Sequence, residues 1–117
     1  MRLNEIRYTD AVPIDGYGPG FFRIGGKVIW GAVTVLPGGV ADWGGYEDTG
    51  LLVAAAEEID VLFVGTGVEI AHLPASFRTV MENAGIGVEA MASPSACRTY
   101  NVLLSEGRRV GVALLPV

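Results

Sequence analysis

The one cysteine of the chain, Cys97, stands in "MASPSACRTYN" (residues 91–101), beside Arg98 and shortly after a Ser-Pro pair. A thiol in the first turn of a helix next to a guanidinium has the surroundings that favour a nucleophilic thiolate. The one histidine, His72 in "EIAHLP", is the residue suited to accept its proton or to act as a general base itself. No spacing brings the two together, and Glu69 is the only carboxylate close to His72 in sequence. A loop histidine without a catalytic role is therefore expected, and no catalytic residue set emerges. A lone Cys and a lone His far apart also match no zinc spacing, so neither metal nor cofactor is expected. Glu57 and Glu58 close a helix-like run and read as solvated surface.

Three other groups of residues bear on binding. Gly65-Thr66-Gly67 follows an apolar run, and a glycine loop at the end of a parallel strand is where α/β folds expose backbone amides to ligands. No third glycine follows at dinucleotide spacing and no Gly-Lys-Ser/Thr is present, so a plain turn is the favoured reading. Trp43 and Tyr46 lie in the glycine-rich stretch 38–50, either folded back onto the core or offered to a partner. Arg98, Asn101 and Ser105 form a polar stripe on the last helix, and Arg98 and Asn101, with Thr99, are able to hold a carboxylate or phosphate or to tie the helix to neighbouring loops.

The elements that must position these residues follow from pattern. "FFRIGGKVIWGAVTVLPG" reads as two strands joined by a Gly25-Gly26 hairpin turn, after a loop at 15–20 and a weakly alternating strand at "EIRYTD" (5–10). Residues 38–50 read as a connection, and "LLVAAAEE" as helical. "DVLFVGTG" is a continuous run of β-formers, the pattern of a strand buried on both faces. "PASFRTVMENAG" opens on a proline and ends on Gly85, as a helix does, and "IGVEAM" is a short strand. A last helix is expected with Ser93 as N-cap and Pro94 at its first position, running to Gly107; "RRVGVALLPV" follows as a buried strand. On that helix Cys97, Tyr100 and Leu104 share one stripe, widened by Ala96 and Leu103, so Cys97 is expected to pack rather than react.

These elements define an α/β fold of the α+β variant: a small mixed sheet with helical crossovers and an N-terminal antiparallel β portion, in one domain over residues 1–117. The formal charge of −5 argues against nonspecific nucleic-acid binding, which needs a basic surface. No stretch reaches the roughly 20 apolar residues that cross a bilayer, and "MRLNEIRYTD" resembles neither a signal nor a transit peptide. No direct membrane insertion and a cytoplasmic location are the expectations, and a single cysteine fits a reducing compartment.

"FFRIGGKVIWGAVTVLP", Trp43, "LFVGTG", "GIGVEAM" and "ACRTYNVLLSEGRRVGVALLPV" together resemble the Mth938-like family over nearly the whole chain, most specifically in the final third. The resemblance implies a compact three-layer fold and a bacterial version of a family that includes a mitochondrial complex I assembly factor. It also implies that Gly65, Thr66, Gly67, Arg98, Thr99, Tyr100 and Asn101 occupy motif positions. It implies no catalysis. Relatives often carry Asp-Thr where this chain has Ala92-Ser93, which removes a carboxylate here. A noncatalytic interaction or assembly protein with a protein partner is thus expected, with Trp43 and Arg98 at its surface and their truncation costing under about 1 kcal/mol of stability. The alternative is an anionic small molecule held between Gly65-Thr66-Gly67 and the start of the last helix.

Overall fold

Glycines cut the first third of the chain into short strands, and their placement decides which sheet each strand joins. The computed structural model describes residues 12–117; the strand expected over 5–10 lies outside the described residues. β1 (Ile14–Gly18), β2 (Phe21–Ile24) and β3 (Lys27–Trp30) form an antiparallel sheet in that order. Its β2–β3 turn is the expected Gly25-Gly26 pair, both at positive φ. Two expectations need correction here. Residues 15–20 are not a loop but mostly β1, whose glycines leave room for Arg23 and Phe21 on the neighbouring strand. The second hairpin arm is not one strand either. Gly31, at φ 87°, breaks it, and β4 (Val33–Leu36) leaves for a second sheet.

The second sheet has the order β5-β4-β8-β6-β7. β5 (Gly39–Asp42) is a strand inside the stretch expected to be an irregular connection, and it pairs antiparallel with β4. β8 (Val110–Leu115) is the centre, antiparallel to β4 and parallel to β6 (Val61–Thr66). β7 (Gly87–Met91) lies parallel to β6 on its other side. The expected buried strands are β6 and β8, both covered on two faces.

Right-handed crossovers explain how the helices are shared out. From β6 the chain steps outward through α2 (Ala75–Asn83) to β7, then returns across β6 through α3 (Ser93–Ser105) to β8. The two steps run in opposite directions, so α2 and α3 fall on opposite faces. Phe77 and Met81 of α2 accordingly pack with Leu52, Leu62 and Val64. Ala96, Cys97 and Tyr100 of α3 pack with Phe63, Val112 and the small sheet's Phe22 and Ile24. α1 (Gly50–Ala54) covers part of the α2 face and is shorter than its composition promised.

Cys97 is buried among these apolar side chains, as its stripe required. Burial pushes its thiol up from 9.0 to about 11, against smaller lowering influences from its backbone hydrogen bond and Arg98. The folded state therefore holds the proton more tightly than the unfolded chain. That stabilisation is complete below pH 9 and is lost as the pH rises through about 11. Iodoacetamide at pH 7 should label Cys97 no faster than global unfolding exposes it; labelling at a free thiol's rate in the folded protein would refute the packing role.

Candidate docking end of the fold

In parallel α/β sheets a ligand crevice opens where successive crossovers leave neighbouring strands on opposite faces. Here that point lies beyond the ends of β6 and β7, beside Gly65-Thr66-Gly67. Ser93 fills it. Its N–H donates to the Gly67 carbonyl at 2.7 Å. Its Oγ accepts the Gly67 N–H at 2.9 Å and donates to the Leu115 carbonyl at 2.6 Å. A Cβ at Gly65 would stand 2.6 Å from Ser93 Oγ and 2.8 Å from Ser93 Cα. Gly65 is a close-packing residue, and among the described residues this loop lies directly against the start of α3. The anion site expected there is therefore already occupied by the protein's own serine.

Ser93 also departs from its expected place. The N-cap is Ala92, with Ser93 and Pro94 inside the helix, because the serine hydroxyl serves the β6 loop and the β8 carbonyl rather than its own helix. Asn101 has a comparable structural task. Its Oδ1 accepts the Ile14 N–H and its Nδ2 donates to the Ile14 carbonyl, both at 2.8 Å. The side-chain amide thus pairs with β1 as a neighbouring strand would. Tyr100 adds a bond from its hydroxyl to the Val12 carbonyl at 3.0 Å, and burial raises its pKa. Tyr100 and Asn101 fasten α3 to β1 and the residues just before it, Thr99 is half-buried, and Arg98 remains exposed on the helix.

Trp43, weighed as a partner-facing aromatic, is folded back. It is 5% exposed, its ring lies 5.5 Å from Tyr46 and 6.2 Å from Phe77, and its Nε1–H donates to the Asp48 carbonyl at 2.9 Å. The glycines around it let the chain curl until the indole reaches the core.

What remains on offer is the loop after β6. Thr66 Oγ1 donates to the Glu69 carbonyl at 2.7 Å and accepts the Ala71 N–H at 3.0 Å, so one hydroxyl sets both bends of the loop. The Met91 carbonyl, 3.1 Å away, ties the same oxygen to β7. Held this way, Val68 and Ile70 project into solvent, 71% and 67% exposed, on either side of Glu69. Beside them Ile70, His72, Leu73, Arg78 and Ala90 line a hollow of about 210 Å³. Among the described residues no carboxylate lines it. Residues 116 and 117 connect this loop to the small sheet: Gly67 abuts the Pro116 carbonyl, and the Gly20 N–H donates to the Val117 carbonyl at 2.8 Å. Over Gly20 lies Trp30, 69% exposed, its ring tilted against that of Phe21 with the centroids 5.2 Å apart. One end of the fold thus presents Val68, Ile70 and Trp30. These were missed in the sequence, although apolar residues flanking a glutamate in a non-helical segment were there to be noticed.

Among the described residues no group of three metal-binding side chains exists, and no helix is long and apolar enough to cross a membrane.

Comparison with known proteins places this arrangement. Residues 14–115 match the family described as "Protein of unknown function (DUF498/DUF598)". An uncharacterised protein of Rhodobacter capsulatus is 48% identical, covering all of this chain and 94% of that one. The rat NADH dehydrogenase [ubiquinone] 1 alpha subcomplex assembly factor 3 is 34% identical over 99% of this chain, which spans 66% of that protein's length. A Bartonella henselae crystal structure, described as an outer membrane protein, superposes with TM-score 0.85 at 34% identity, covering 95% of this chain and 99% of that one. The solution structure of a Bordetella pertussis protein described as a Mth938-like domain gives TM-score 0.74 at 32% identity, covering 99% and 92%. The match to the family model over residues 14–115, with the superposition on a Mth938-like domain, identifies the chain as a member of the DUF498/DUF598 family, with the Mth938-like α/β fold.

Proposed function

We infer that this protein is a noncatalytic docking module that serves the assembly of a respiratory membrane complex. The observation that carries the reading is the pinned loop that holds Val68 and Ile70 out of the core. Apolar side chains are ordinarily exposed singly and without consequence, whereas two on a preset loop beside a hollow form a patch that a partner can cover without first ordering it. The assembly-factor relative supplies the class of task, since it is similar over nearly all of this chain. Arg98, exposed on α3, is the second surface residue assigned to the partner.

The test is affinity capture from the native host followed by mass spectrometry. The double variant Val68→Ser/Ile70→Ser should lose a partner that the unaltered protein retains, while its stability changes by no more than about 0.5 kcal/mol. Arg98→Ala asks whether the interface extends along α3. Undiminished capture by the double variant would remove the loop from the interface.

A further inference from the structure

A second opening lies at the far edge of the large sheet. With only five residues, α1 is too short to cover the β4–β5 hairpin. Thr34, Leu36, Gly39, Ala41, Leu51 and Ala54 line a hollow of about 280 Å³ there, with Glu58 at its rim. The hollow exists because much of its wall is glycine and alanine, which leave space that larger side chains would fill. Among the described residues β5 is also an edge strand of this sheet. The Trp43 N–H bonds to the Ala32 carbonyl, and antiparallel alternation then turns the backbone groups of Val40 and Asp42 to the free side.

Charge decides what could lie there. From Val28 to Phe77 the chain contains no lysine or arginine, yet Asp42, Glu47, Asp48, Glu57 and Glu58 fall within it and are all exposed. Arg109, on the connection before β8, is already paired with Asp60 at 3.1 Å. An occupant therefore needs an apolar side chain for the hollow, cations on either side of it, and an extended backbone for the strand edge. A second copy of this chain would set the same acidic face against itself, and an anion would be repelled.

We propose that the β5 edge and its hollow bind a basic, extended segment of a partner protein. One aliphatic side chain enters between β4 and α1, and lysines or arginines of the same segment meet Glu57 and Glu58 on the face of the hollow and Asp42 on the opposite face of the sheet. Strand addition of this kind draws affinity from backbone pairing and specificity from the pocketed side chain. The surface stands apart from the Val68–Ile70 loop, and different variants test the two.

The experiment titrates a short capped peptide of alternating lysine and leucine into the isotope-labelled protein and follows amide shifts. Saturable shifts centred on Val40, Ala41, Leu51 and Ala54 are expected, with affinity falling as salt rises. Ala54→Trp, at an exposed position whose new ring fills the hollow, should abolish binding. Glu57→Gln/Glu58→Gln should weaken it roughly tenfold, and Val68→Ser/Ile70→Ser should leave it unchanged. No saturable shift, shifts centred on Val68 and Ile70, or equal binding by a peptide with serine for every leucine would each overturn the proposal.

Discussion

Trp43→Ala is expected to cost about 4 kcal/mol, the range for deleting a buried aromatic whose space cannot collapse. The indole closes the α2 face of the sheet together with Tyr46 and Phe77, and its N–H is the partner of the Asp48 carbonyl. Truncation leaves a cavity beneath a glycine-rich loop that has little else to hold it. In a domain of this size the loss amounts to a fall in melting temperature on the order of 15 °C. Differential scanning calorimetry checks it. A fall of only about 2 °C would mean that the loop is carried by its backbone bonds alone. The surface role first considered for this residue predicts the opposite, a change under about 1 kcal/mol.

Gly65→Ala is the second large effect, about 3 kcal/mol, although it adds a single methyl group. That group would stand 2.6 Å from Ser93 Oγ, 2.7 Å from Leu114 Cδ2 and 2.8 Å from Ser93 Cα. The last contact is with backbone, so no rotamer change relieves it. Either α3 moves off β6 or the serine gives up bonds to Gly67 and Leu115, and overpacking and unmade buried hydrogen bonds each cost about 1–3 kcal/mol. Gly87→Ala is the control, because its new Cβ meets nothing closer than 3.5 Å. Chemical denaturation should separate the two variants clearly, and amide exchange at Gly67 and Ala71 should quicken in Gly65→Ala only. Similar midpoints for both would show that the β6–α3 contact yields easily.

Why some of this was legible in sequence and some was not has a physical explanation. β6, β8, α2 and α3 each carry their burial in local composition, so apolar runs and helical spacing located them. β1 and β5 contain glycines that weaken any β pattern, and they are strands because distant neighbours supply the pairing. The division between β3 and β4 depends on one backbone angle at Gly31, which no periodicity records. At the candidate site, Cys97 was readable as packing because a helical stripe is a local property. Ser93 was not, since its hydroxyl answers to Gly67 and Leu115, 26 and 22 residues away. Asn101 looked equally suited to binding or tethering until Ile14, 87 residues distant, settled the matter.

The position of β8 has a consequence for how the molecule is made. The middle strand of the large sheet is the last of its strands to leave the ribosome, and it alone joins the β4–β5 pair to the β6–β7 pair. Until residues 110–115 emerge, the two pairs have no shared neighbour and the facing edges of β4 and β6 stay unpaired. The nascent chain must therefore carry two half-made sheets until this strand is available and close them in one step, a route that favours chaperone attendance over folding in stages.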